Sequence, residues 1–308
     1  MKRKDWKALM AIPLMAVCLS ACGENTVQPN KKTQETVSPS AADGAGSVCK
    51  TFAACEPLAI KGDAQAQYEL ASMFHEGRGT AKSRISAIYW FGNSAQKGYA
   101  DAGARREAIL KDLEQSAGQG DAEAQCDLAW MYWHGYGLPR DNAKAVAWFE
   151  KSAGKGNIKA QYSLGEIYTD DRWVQQDLAK AARWFEEAAK QGDASAQNRL
   201  STIYYLGKGV PQDYAKARYW AEKSAEQGND EGQVLLGWLY EKGYSVPQDY
   251  AKAKDLYEKA ALQGNQKGQD KLAVFYRLGK GTPKDPAKAN YWADKAMQQG
   301  DCGSAGGC

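Results

Sequence analysis

Two histidines, His75 and His134, and three Ser-x-x-Lys tetrads are the side chains of this sequence best suited to acid–base or nucleophilic chemistry. The tetrads are Ser47–Lys50, Ser94–Lys97 and Ser152–Lys155. A serine one helical turn before a lysine could pass its proton to the amine and attack an acyl carbon. Hydrolases built that way also carry Ser-Asp-Asn and Lys-Thr-Gly segments, and neither occurs here. The last two tetrads end short segments rich in small residues, which makes chance recurrence the better account. The histidines fall in different segments with no partner at metal-ligand spacing. Nucleophile-elbow and phosphate-loop patterns are absent. The expectation is no catalytic residue, no metal and no cofactor.

The elements around these residues repeat. Glycines at 62, 98, 120, 156, 192, 228, 264 and 300 are 36 residues apart, except for one step of 22 between Gly98 and Gly120. After the glycine stands Asp63, Asp121, Asn157, Asp193, Asn229 or Asn265, an N-cap type for a new helix. An apolar face follows, as in Ala124, Leu128, Met131 and Tyr132, at i, i+4, i+7 and i+8. Glycine pairs such as Gly207 and Gly209, then Pro211, stop this helix. Asp141, Asp177, Asp213, Asp249 and Asp285 cap a second one, whose face holds Ala145, Trp148, Phe149, Ser152 and Ala153. A lone hairpin of this kind cannot bury both faces, so the units must stack. The predicted fold is all-α: an α/α solenoid, a right-handed superhelix of helix hairpins over 62–299 behind an N-terminal cap at 48–61.

The pattern Ala196-Gln197…Leu200…Tyr204…Gly207-Lys208-Gly209-Val210-Pro211…Asp213…Lys216-Ala217…Trp220 resembles the Sel1-like repeat family, relatives of the tetratricopeptide arrays. The resemblance covers about 240 residues of this sequence and implies a scaffold that binds a protein or peptide. Suggested roles among Sel1-like lipoproteins include host-protein recognition and neutralisation of phospholipase toxins. Cysteine-rich Sel1-like proteins of Helicobacter, described as β-lactamases, supply the alternative of a β-lactam hydrolase. Their regular cysteine pair per repeat is missing here, where only Cys126 falls between 62 and 299.

Three segments depart from the pattern. The short unit at 98–119 has no Gly or Pro within Ala104–Ala117 and predicts a single helix that interrupts the superhelix, separating 62–97 from 120–299. Thr169-Asp170-Asp171-Arg172-Trp173 replaces one glycine loop; it is read chiefly as local reshaping, with Trp173 as a contact candidate. The first unit has Thr80-Ala81 and Ser83 in place of the proline and Asp found elsewhere.

Lys2, Arg3, Lys4 and Lys7 precede an apolar run, Ala8–Leu19, too short for a permanent membrane span and suited to a signal peptide over 1–21. The run closes on Leu19-Ser20-Ala21-Cys22, which resembles a bacterial lipobox and implies lipidation of Cys22. Gly23 after it implies sorting to the outer membrane of the cell envelope. Residues 22–47 read as a flexible tether from Cys22. Removing 1–21 turns 40 basic and 37 acidic residues into 36 of each, which leaves no electrostatic case for nucleic acid. Export brings an oxidising compartment, so Cys302–Cys308 could close the Gly-rich tail at 300–308 and Cys49–Cys55 the N-terminal cap. The second pair is the weaker, because a helix through 49–55 would point its sulfurs apart. Cys126 is expected to be a packing residue.

Function should sit at positions the framework leaves variable. Six, ten and thirteen residues past each unit's glycine form one strip on the first helices. From it, Tyr68, Trp130, Trp133, Tyr162, Tyr205 and Trp238 are the candidate partner-binding residues, with Trp130, Trp133 and Trp238 foremost.

Overall fold

The computed structural model describes residues 48–172 and 174–305, and these form fourteen helices with no strand. Cys22 with its signal and tether, Trp173 and Cys308 lie outside the described residues. Helix α1 (Phe52–Lys61) is followed by the hairpin α2 (Ala64–Glu76) and α3 (Arg84–Gln96), and by a single helix α4 (Ala102–Gln119). Next come α5 (Ala122–His134) with α6 (Asn142–Gly154), and α7 (Ile158–Thr169) with α8 (Leu178–Lys190). The array continues with α9 (Ala194–Leu206) and α10 (Tyr214–Glu226), then α11 (Asp230–Lys242) and α12 (Tyr250–Leu262). It closes with α13 (Gln266–Leu278) and α14 (Pro286–Ala305), which runs past Gly300 into the segment expected to be a tail.

The recurrent residues explain the recurrent geometry. Asp63 and Asp193 accept the amides of Ala66 and Ala196 at 2.7 and 2.6 Å and so start α2 and α9. Asp213 and Asp249 start α10 and α12, accepting the amides of Lys216 and Lys252 at 3.0 Å each. Their own amides donate to the carbonyls of Tyr204 and Tyr240 at 3.0 Å, which fixes the second helix of each hairpin against the first. Lys216 and Lys252 then lie over those same tyrosine rings, 5.0 and 5.3 Å from the centroids. An exposed cation–π contact of this kind contributes about 0.5–1 kcal/mol. The Asp-x-x-Lys phrase is therefore a hairpin clasp.

Glutamine joins one unit to the next. Gln67, Gln125 and Gln197 are buried, and each Nε2 donates to the carbonyl of Ala59, Ala117 or Ala189 at the end of the preceding helix. Each bond is a second one to a helix-end carbonyl that already accepts the amide of the capping Gly62, Gly120 or Gly192.

The single helix α4 does not interrupt the stack. One core runs from Cys49 to Met131, and Leu113 and Ala117 of α4 lie in it beside Ile88 and Leu128. The two flanks also meet directly across α4: Tyr89 stands edge-on to Tyr136 at 5.9 Å, and Arg84 faces Asp127. The expected separation of 62–97 from the rest fails because α4 offers apolar residues to both neighbours.

Cys49 and Cys55 are bonded, with Cα atoms 5.1 Å apart. The objection that a helix would part them does not apply, because Thr51, in extended conformation, caps α1 and Cys49 precedes the helix. Cys302 lies in α14, whose partner candidate Cys308 is not described. Cys126 is a buried thiol in the core between α5 and α7.

Candidate functional site

Helix α5 places Glu123, Asp127, Trp130 and His134 at i, i+4, i+7 and i+11, along one face. Beside that face, Trp130, Trp133, Phe149 and Tyr162 line a cleft of about 240 Å³, with Glu166 and Lys159 at its edge. A larger cleft of about 800 Å³ opens between the 81–86 segment, α5 and the start of α7. Trp130 and Lys159 line both, so the two form one continuous surface. The reason is the odd helix: α4 sets the loop of the first hairpin opposite α5.

Trp130 is held firmly. Its ring stacks on His134 at 4.9 Å with planes 1° apart, and meets Phe149 edge-on at 5.7 Å. His134 stacks in turn on Tyr136 at 5.1 Å. Burial, with help from the Arg140 charge, pushes the His134 imidazole down to about 4, so it is neutral at pH 7. Trp130 Nε1 and His134 Nε2 are buried and find no hydrogen-bond partner among the described residues. A buried indole N–H without an acceptor costs roughly 1–3 kcal/mol.

Two carboxyl groups at this surface are displaced from their usual range. Burial pushes Asp127 up to about 6, against the opposing pull of Arg84. Burial also raises Glu166, opposed by Arg199, whose Nε lies 2.8 Å from Glu166 Oε1. Tyr162 packs edge-on to Phe185 at 5.6 Å.

The predicted strip thus divides. Trp130, Trp133 and Tyr162 converge on one cleft. Tyr68 instead packs inside the first hairpin, against Phe91 at 5.2 Å and Tyr99 at 4.8 Å. Tyr205 and Trp238 bind each other, with Trp238 Nε1 donating to the Tyr205 hydroxyl at 2.9 Å. Lys271 and Lys242 sit over the Trp238 ring at 4.0 and 4.5 Å. Along α7, α9, α11 and α13 this strip laces units together: Glu166 to Arg199, Asn198 to Glu231, and buried Glu241 to Lys271. Asp127, Lys159 and Arg84 enter the site without standing out in the sequence; only the helical spacing of Asp127 with Trp130 pointed to them.

Two of the three catalytic-looking tetrads are structural, and Ser47 of the third lies outside the described residues. Ser94 Oγ donates to the Ala64 carbonyl at 2.7 Å and Ser152 Oγ to Ala122 at 2.5 Å. Lys97 and Lys155 reach the carbonyls of Gly62 and Gly120 rather than the serines. Cys49, Cys55 and Glu69 group within 4.8 Å, but the two sulfurs are bonded to each other and offer no thiolate.

Stacked helix hairpins clasped by Asp-x-x-Lys and joined by glutamine define an α/α solenoid of the repeat-scaffold class. The Sel1 repeat model matches residues 64–99, 122–157, 158–193, 194–229, 230–265 and 266–301. The chain belongs to the Sel1 repeat family, and the unmatched stretch 100–121 is α4 with its flanks. A protective antigen of uropathogenic Escherichia coli displaying an SLR fold is 32% identical, with a TM-score of 0.60 over 81% of this chain. The match spans 56% of that protein's length. A Sel1 repeat protein from Oxalobacter formigenes is 26% identical, with a TM-score of 0.55, covering 80% of this chain and 90% of that one. No curated protein sequence matches the chain.

Proposed function

We propose that this protein is a non-enzymatic scaffold, tethered to the cell envelope by lipid on Cys22, whose solenoid binds a protein or peptide partner. One observation carries the binding reading: Trp130, Trp133 and Tyr162, from two neighbouring units, line one cleft. Rigid aromatic rings gathered in one cleft suit the apolar side chains of a polypeptide. Family membership supports the scaffold class. The Cys22 anchor rests on the sequence pattern alone.

Photo-crosslinking in living cells tests both halves. A benzophenone amino acid at Trp133 should trap a partner in the envelope fraction, while the same group at exposed Tyr219 should not. Absence of any adduct at Trp133 and Tyr162 would remove the cleft assignment. Fatty-acid labelling should disappear in Cys22→Ala, and labelling that persists would contradict the anchor. The β-lactam alternative predicts nitrocefin turnover by the purified protein. We expect none, and turnover lost on Ser94→Ala or Ser152→Ala would overturn the scaffold reading.

A further inference from the structure

The larger cleft carries more charged side chains than the aromatic cleft. Asp112 of α4, Glu123 and Asp127 of α5, Lys82 and Arg84 of the first hairpin and Lys159 of α7 line it. The Asp127 side chain retains 24% exposure, and Arg84 Nη1 stands 3.7 Å away, beyond hydrogen-bond reach. Among the described residues no donor hydrogen-bonds the Asp127 carboxylate. One helical turn along the same face is Trp130.

Building on the scaffold reading above, we propose that the corner formed by Asp127 and Trp130 binds an arginine side chain of the partner. A guanidinium is flat, permanently charged and forked, so it can lie on an indole while donating two hydrogen bonds to a carboxylate. Its donors would supply the hydrogen bonds that Asp127 does not receive from the described residues. Arg84 marks the chemistry the corner accepts: the protein's own guanidinium approaches this carboxylate without closing the bond. That makes Arg84 an internal competitor. A lone acidic patch would attract any cation, but an adjoining indole ring favours a planar one. The corner exists because α4 brings the 81–86 segment over α5, so it has no counterpart in the regular units.

The test uses the intact chain labelled with 5-fluorotryptophan, with the Trp130 signal assigned by its loss in Trp130→Phe. The probes are acetyl-Gly-Arg-Gly amide and acetyl-Gly-Glu-Gly amide. The arginine peptide should shift the Trp130 resonance saturably and the glutamate peptide should leave it in place. Asp127→Asn should weaken the arginine peptide about tenfold or more, and Arg84→Gln should tighten it. Equal responses to the two peptides on the unaltered protein, no Trp130 response at all, or unchanged affinity in Asp127→Asn would each overturn the proposal. If crosslinking at Trp133 persists while Trp130 ignores the arginine peptide, the scaffold stands and the arginine corner falls. If neither responds, both fall.

Discussion

At the residue scale, His134 and Asp127 form a matched pair of opposite sign. His134 is held down to about 4 from an ordinary 6.5, so between those values the unfolded chain binds the extra proton and stability falls as pH falls. Asp127 is held up to about 6 from an ordinary 3.8, so in that window the folded chain binds the extra proton and stability rises as pH falls. The groups acting on Asp127 include Arg84, Glu123, Lys159 and Asp121, and Arg140 acts on His134. The two windows overlap between about 4 and 6, and the contributions offset each other in the unaltered protein. Separating them is the prediction. His134→Phe keeps a ring between Trp130 and Tyr136, and its melting temperature should rise between pH 6 and pH 4.5 relative to the unaltered protein. Asp127→Asn should show the reverse, a steeper fall. Thermal melts at three pH values check both, and parallel profiles for all three proteins would contradict the pairing.

At the element scale, the loop glycines have unequal duties. Gly192 has φ +96° with open space around a would-be Cβ, so Gly192→Ala meets only left-handed strain of about 1–2 kcal/mol. Gly209 has φ +77° as well, but a Cβ there would stand 2.5 Å from the carbonyl carbon of Leu178, in the first turn of α8. Gly209→Ala should therefore cost more than Gly192→Ala by about 1–3 kcal/mol, because a neighbouring backbone must move. Urea unfolding midpoints measure the difference. That both positions need glycine was legible from the spacing. Why Gly209 needs it was not, because Leu178 belongs to the preceding unit and only the stacking brings it near. The same limit governed the site. The aromatic strip could be read from helical spacing, and Trp130, Trp133 and Tyr162 do share a cleft. Nothing in spacing said that Trp238 would be spent on Tyr205, or that Tyr68 would turn into its own hairpin, since those contacts depend on how consecutive units twist. Cys49 and Cys55 do pair, as the sequence allowed, and their rank as the weaker pair has a local answer: Thr51 caps α1, so the helix begins at Phe52 and not at Cys49.

At the scale of the whole molecule, the question is whether α4 divides the array or joins it. In repeat arrays each unit feels chiefly its neighbours, so a break in packing becomes a break in cooperativity. Ile88 of α3 is fully buried in the core that also holds Leu113 of α4 and Leu128 and Met131 of α5. Its methyl group also lies where a Cβ on Gly137 would fall, in the loop after α5, and Arg106 of α4 donates to the Gly137 carbonyl. From α10 onward the buried core splits into smaller clusters, around Leu239, Phe275 and Leu272. Ile88→Ala should cost about 2–5 kcal/mol by opening a cavity in this shared core. If α1 to α5 open as one unit, hydrogen exchange should accelerate in α2, α3 and α5 by a common factor. Helices α11 to α14, with no contact to that core, should keep their rates. Acceleration confined to α2 and α3 would mean that α4 insulates the first hairpin after all. The arginine corner would then lose its basis as well, because Arg84 and Asp127 can hold their spacing only if the two sides of α4 move as one body.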